Sequence, residues 1–358
     1  MTPMDLRPLA GRLLRQPAAP YHEDAVRAEV ERICGEHGLD CERDRFGNVV
    51  VRWQTARRRR PLVLAAHLDH PGFEILRRLA PRRWLARFVG GVADDYFRAG
   101  VPLRLMPGAV PARLGIQRAG EKRFEILAAR PPDLPPRFAV WELEDFAVRG
   151  GRIIGRACDD LVGTAAVLAT LIELKRSRAK VNVIGVLSRA EENGFRGALT
   201  VAASRTLPRA ALVLSLETSR ELPPVRMGRG VIIRVGDKAS VFDSDATRFL
   251  QEVAAGLRAK RPKFRFQRAL MSGGTCEATA YQEFGFQSAA VCVALGNYHN
   301  CGPRRRLAAE FVSLADACGM VDLLAAAARQ MPRYDALIGR LPRRLREMLR
   351  EARVRLRA

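Results

Sequence analysis

Apolar positions fall into two rhythms that alternate along most of the chain. Over 23–37, Val26, Val30 and Ile33 recur at near-helical spacing and Gly38 follows as a stop, which predicts a helix. Phe46-Gly47-Asn48 reads as a turn into a strand over 49–53. The stretch 61–66 is apolar throughout, the pattern of a strand buried on both faces, and it delivers His67 at its end. Helices over 161–175, 245–259 and 306–329, with strands over 181–187, 211–216 and 288–293, complete an α/β fold: a mixed, mostly parallel sheet flanked by helices. Sheets of this kind place their chemistry outside the carboxyl ends of the strands, where His67 lies.

Over 81–149 the rhythm changes. Short strand-like pieces at 84–89 and 124–127 are separated by Gly and Pro, including Pro131, Pro132, Pro135 and Pro136. This segment is predicted to be a small β-rich domain inserted into a main domain formed by 1–80 and 150–358. The last stretch, 341–357, sets Leu341, Leu345, Met348 and Ala352 on one helical face and Arg on the others. It reads as a basic amphipathic helix that caps the domain or meets a partner, with a membrane-surface role as the alternative.

Composition narrows the class. At 358 residues and 48% hydrophobic, the chain can bury a sizeable core, which excludes a disordered polyelectrolyte. Its longest apolar stretches, 61–66 and 210–216, fall far short of the roughly 20 residues needed to cross a bilayer. Residues 1–20 show no continuous apolar core of a signal peptide, so a cytoplasmic location is expected. Seven cysteines without CxxC spacing point to reduced thiols. The formal charge of +23 raises the question of a nucleic-acid partner. Arg groups at 57–60, 82–83 and 304–306 are dispersed, however, and no recognition-helix, zinc-finger or RNA-binding signature accompanies them.

Candidate chemistry collects at or just beyond the predicted strands: His67, Asp159, Glu191-Glu192, Glu217 and His299. Imidazole and carboxylate are the donors that divalent zinc, cobalt or manganese accept in hydrolytic sites. A pair of ions about 3.5–4 Å apart needs one bridging carboxylate and about two further donors each, and this set supplies them. Asp69, two residues after His67 on an extended chain, is positioned to accept from the imidazole's other nitrogen. Each feature has a plainer reading. Asp159-Asp160 could cap a helix, Glu191-Glu192 could lie in a solvated loop, and a strand-end His could be structural.

Taken in order, these residues resemble the tetrahedral and glutamyl aminopeptidases, also called deblocking aminopeptidases, some of whose relatives carry the name endoglucanase. The resemblance rests on Ala66-His67-Leu68-Asp69 with Gly72-Phe73, Cys158-Asp159-Asp160 with Gly163, Glu191-Glu192-Asn193-Gly194 with Arg196-Gly197-Ala198, Leu216-Glu217-Thr218, Ser272-Gly273-Gly274-Thr275 and Tyr298-His299. It extends over about 21–328. It implies a zinc-aminopeptidase-like fold and a metallo-aminopeptidase acting on peptides with two divalent ions, zinc first, cobalt or manganese as alternatives. His67, Asp159 and Glu217 would hold one ion and Asp159, Glu192 and His299 the other, with Glu191 as general base. The resemblance also implies a cis peptide between Asp159 and Asp160. In the family the insert shapes the pocket and builds a twelve-subunit shell, so a homo-oligomer is expected. The chain departs from the usual pattern at Leu161, where Arg is common, and at Glu217 and Cys276, where Asp is common. A two-metal amidase, deacylase or carboxypeptidase on the same scaffold, or a binding protein that has kept the fold, are the other readings.

Overall fold

The computed structural model describes residues 5–356. Four parallel strands form the centre of an eleven-stranded mixed sheet, in the order Asn182–Ser188, Leu62–His67, Leu212–Arg220 and Gln287–Gly296. The first two are buried at every residue, which explains their unbroken apolar sequence. Flanking strands run mostly antiparallel. Val49–Gln54 and Asp40–Arg43 extend one side, while Glu310–Ser313, Arg152–Gly155 and Ala147–Arg149 extend the other. Val231–Gly236 pairs antiparallel to Gln287–Gly296 and carries Phe266–Leu270 in parallel beyond it. The helix Cys158–Arg176 packs across the central strands, buried along nearly its whole length, and the helix Leu314–Gln330 lies against it.

A second sheet closes on itself as a barrel. Its order is Gly72–Ala80, Arg83–Val89, Arg123–Ala128, Val110–Arg118, Pro102–Met106 and Phe138–Trp141, and Phe73 and Glu74 pair with Ala139 and Phe138 to seal it. The change of rhythm over 81–149 falls across these strands. The barrel's first strand nevertheless begins at Gly72, directly after the His67 loop, and Ala147–Arg149 belongs to the main sheet. The barrel interior is aromatic: the Phe73 ring is 4.9 Å from both Phe88 and Trp141 and 6.1 Å from Phe124.

Two sequence expectations are corrected. The helix predicted over 306–329 is a strand, Glu310–Ser313, followed by the helix Leu314–Gln330. Ser313 caps that helix, its Oγ accepting from the Asp316 amide at 3.2 Å, and this S-x-x-D signal marks where the helix starts. The C-terminal helix, Arg340–Arg355, is formed but buries none of its residues. Leu341, Leu345 and Met348 are 45, 53 and 52% exposed, so it does not cap the domain by burying that face. The predicted end of that segment, Arg357, lies outside the described residues, as do 1–4 of the segment read for a signal peptide. Among the described residues no helix is long and apolar enough to cross a membrane, and all seven cysteines are free.

Behind the strand ends, Glu277 at the head of the helix Glu277–Glu283 is fully buried and accepts from Ser188 Oγ. Burial pushes its carboxyl up to about 7 from the usual 4.5, with His67 and the Ser188 hydroxyl opposing.

Removing the Phe73 ring should cost about 3–5 kcal/mol, because its cavity opens inside a packed aromatic cluster. Urea unfolding of Phe73→Ala tests this, and a loss below about 1 kcal/mol would contradict the packing described. For Glu277 the folded state holds the proton more tightly than the unfolded chain. Stability should therefore fall as pH rises from about 4.5 to about 7, by on the order of 3 kcal/mol. Unfolding with chelator present should show a shallower pH slope for Glu277→Gln than for wild type, and equal slopes would refute the assignment.

Candidate metal centre

The six candidate side chains are delivered by five elements around the carboxyl edge of the parallel strands. His67 ends Leu62–His67, and Glu217 stands near the end of Leu212–Arg220. Glu191 and Glu192 lie in the turn Glu191–Asn193 just beyond Ser188, entered through Ala190 in the left-handed region (φ 50°). His299 follows Gln287–Gly296 in the turn Tyr298–Asn300 and is itself left-handed (φ 52°), as are Asn297 (φ 54°) and Asn300 (φ 61°). Such backbone costs on the order of 1 kcal/mol or more per non-glycine residue and persists where the surroundings hold it. Asp159 stands at the head of the helix Cys158–Arg176, where the backbone is still non-helical, and its peptide bond to Asp160 is cis. Gly163 leaves room for the Asp160 carboxyl, which would lie 2.1 Å from any Cβ at that position.

The structure brings all of these residues together. The Asp159 carboxylate lies between two imidazoles, with Oδ1 3.6 Å from His67 Nε2 and Oδ2 3.5 Å from His299 Nε2. His299 Nε2 is also 3.1 Å from Glu192 Oε1, and His67 Nε2 is 3.9 Å from Glu191 Oε2. Two triads, His67 with Asp159 and Glu217, and Asp159 with Glu192 and His299, each offer donor atoms within 4.8 Å of one another. Glu191 and Glu192 form a third such group with His67.

Both imidazoles are oriented from behind. His299 Nδ1 donates to the Gly91 carbonyl at 2.8 Å, so a loop leaving the barrel turns Nε2 toward Asp159. His67 Nδ1 donates to the backbone carbonyl of Asp69 at 3.1 Å. This corrects the expectation that the Asp69 carboxylate takes that bond. Its Oδ1 is 3.5 Å away from the ring nitrogen and instead accepts from the Glu191 amide at 2.9 Å, while Oδ2 accepts from the Glu192 amide at 3.0 Å. Two backbone donors in a turn satisfy a buried carboxylate more completely than one ring nitrogen.

Electrostatically the site is a buried excess of carboxylates. Burial alone favours neutral imidazole at His67, but Glu191, Asp159 and Asp69 outweigh it and raise its basicity well above the ordinary value. Burial is likewise overcome at His299 by Glu192 and Asp159. Glu217 is pushed up to about 8, chiefly by burial, and Glu191 is raised by burial with Glu217 and Glu192 adding to it. At Asp159 burial is overcome by His299 and His67, which hold its carboxyl below the usual range.

Two donor atoms in this cluster, His67 Nε2 and Glu217 Oε1, are buried without a hydrogen-bond partner, and Glu192 Oε1 has the His299 imidazole 3.1 Å away. Unpartnered buried polar atoms are costly, and their convergence on a hard-donor set of imidazole and carboxylate fits divalent cations. The cluster opens into a cleft of about 240 Å³ whose walls include Phe195, Arg220, Arg234, Met271 and Tyr298.

Several contributors were not read from the sequence. Thr218 Oγ1 donates to Asp159 Oδ1 at 3.1 Å, and Thr164 Oγ1 to the His67 carbonyl at 2.9 Å. Glu310 is fully buried against the Asp159 and His299 backbones. Its one sequence signal, a lone carboxylate followed by Phe-Val, lay inside the stretch read as helix.

Residues 136–309 match the family of M42 glutamyl aminopeptidases, a stretch that contains Asp159, Glu191, Glu192, Glu217 and His299. An Acetivibrio thermocellus protein provisionally named an aminopeptidase is 25% identical over 187 residues, 50% of this chain and 52% of that one, so the match spans about half the length of that relative. In fold, the chain is similar to the Pyrococcus horikoshii TET1 peptidase, which can assemble into a tetrahedron or a large octahedral shell (TM-score 0.74, 21% identity, 90% of this chain and 99% of that one). It is similar also to an aminopeptidase from Desulfurococcus kamchatkensis (TM-score 0.75, 21% identity, 93% and 97%) and to a Thermotoga maritima protein named endoglucanase (TM-score 0.65, 15% identity, 93% and 99%). Over the matched stretch the chain is similar to the M42 glutamyl aminopeptidases, and in fold it is similar to the solved proteins just described.

Proposed function

We propose that this protein is a two-metal aminopeptidase that removes N-terminal residues from peptides. The observation that carries the reading is the convergence of buried imidazole and carboxylate donors around the Asp159 carboxylate, with His67 Nε2 and Glu217 Oε1 left unpartnered. His67, Asp159 and Glu217 would hold one divalent ion and Asp159, Glu192 and His299 the other, with zinc first and cobalt or manganese as alternatives. Bound there, the ions would acidify a water and polarise the scissile carbonyl. Glu191 takes the proton from the attacking water and returns it to the leaving amine. Asp69 is a positioning residue, fixing the turn that presents Glu191 and Glu192. The cleft carboxylates attract a free ammonium group, which restricts cutting to chain ends. The barrel, contributing Gly91 behind His299, serves as a lid and as a surface for homo-oligomer assembly.

Arg234 supports a preference within this activity. Its guanidinium lines the cleft at 3% exposure, donates from Nη1 to Ser219 Oγ at 3.1 Å, and pairs with no carboxylate among the described residues. Its Nε is buried without a partner. An acidic N-terminal side chain would supply the missing acceptor.

Glu191→Gln should retain its metal content and lose turnover by about 10²–10⁴-fold, judged by elemental analysis and initial rates on the same sample. Persistent turnover would remove Glu191 from the role of base. On a panel of peptides, N-terminal acetylation should abolish cleavage, and undiminished hydrolysis of blocked peptides would favour an amidase or deacylase. Glu-linked substrates should react faster than Leu- or Lys-linked ones, and Arg234→Met should erase an advantage of about tenfold. An unchanged ranking would show that Arg234 does not read the substrate.

A further inference from the structure

Asp159 and His299 come from opposite ends of the matched stretch, yet their backbones are tied to each other by one side chain. Glu310 Oε2 accepts from the Asp159 amide at 3.0 Å and Oε1 from the His299 amide at 2.8 Å. Glu310 is fully buried, and no Lys, Arg or His lies within ion-pair distance of it among the described residues. A buried carboxylate satisfied by two amides and no cation is an expensive way to fill a core. It sits instead where two residues of non-helical backbone must be held in register.

A second path closes the same loop. His70 Nδ1 donates to the Asp159 carbonyl at 2.8 Å, its Nε2 lies 3.0 Å from Asn300 Oδ1, and Asn300 Nδ2 donates to the Arg156 carbonyl at 2.8 Å. Asn300 is the neighbour of His299. The Asp159 peptide is thus gripped at its N–H by Glu310 and at its C=O by His70, and both grips end on the His299 turn.

We infer that Glu310 is a positioning residue that sets the spacing of Asp159 and His299 and thereby the affinity of the ion they would share with Glu192. The inference rests on the two-metal reading above. Asp69 does the equivalent service for the Glu191-Glu192 turn, so the triad of Asp159, Glu192 and His299 is held by two carboxylates, each across two amides. The Glu310 staple spares the other half: His67 and Glu217 take no contact from it, and only Asp159 is common to both triads.

Glu310→Gln keeps the shape of the side chain but replaces one acceptor by a donor, which faces an amide N–H. Chelator-treated protein titrated with zinc by calorimetry, with a competing chelator to reach tight affinities, resolves the two sites. Wild type should take up two ions. In the variant one site should weaken by about 10–100-fold while the other stays within about threefold. Asn300→Ala, which cuts the parallel path without touching Glu310, should weaken the same site, and it carries the test should Glu310→Gln fail to fold. Two unchanged affinities in a folded variant, or equal losses at both sites, overturn the inference and leave the two-metal reading standing. Wild-type protein that takes up no ion overturns both.

Discussion

The structure turns on one carboxylate placed between two imidazoles. Asp159 reaches His67 with one oxygen and His299 with the other, at 3.6 and 3.5 Å, and is itself buried at the floor of the cleft. Around it stand Glu191, Glu192 and Glu217, each of which would prefer solvent or a cation. Those carboxylates make both imidazoles more basic than usual, and burial pushes Glu217 up to about 8. Divalent cations would balance those carboxylates directly, since two such ions bring four positive charges to five donor residues.

The fold exists around that arrangement in a direct sense. Four parallel strands put their carboxyl ends on one edge, and His67, Glu192, Glu217 and His299 sit near or just past those ends. The apolar interior of the strands makes the edge rigid, whereas the turns beyond it adopt left-handed backbone at Ala190, His299 and Asn300 that only dense hydrogen bonding can hold. Carboxylates supply that bonding as well as the donor set: Asp69 fixes one turn and Glu310 another. The barrel adds its own share through Gly91, whose carbonyl orients His299 from outside the main sheet.

How much of this was legible in the sequence depended on whether a side chain's job was local. Leu62–His67 and Gln287–Gly296 announce themselves, because a strand buried on both faces must be apolar throughout. His67, Glu217 and His299 stand out as polar residues at or just beyond the ends of such runs. The barrel's start at Gly72 was not legible, since Gly72–Ala80 turns from buried to exposed along its length and carries no clean alternation. The strand Glu310–Ser313 was masked by the helix that follows it, and with it the reason for a carboxylate at 310. Asp69 was read as serving the residue two positions away, when its carboxylate serves a turn more than a hundred residues distant. Long-range hydrogen bonding of this kind leaves no periodic trace.

The most direct test of the central claim is a crystal structure of the zinc-loaded protein with anomalous scattering recorded at the zinc edge. The account requires two peaks per chain, one on each side of the Asp159 carboxylate, the first against His67 and Glu217 and the second against Glu192 and His299. A single peak away from Asp159, or none in crystals grown with excess zinc, would contradict it.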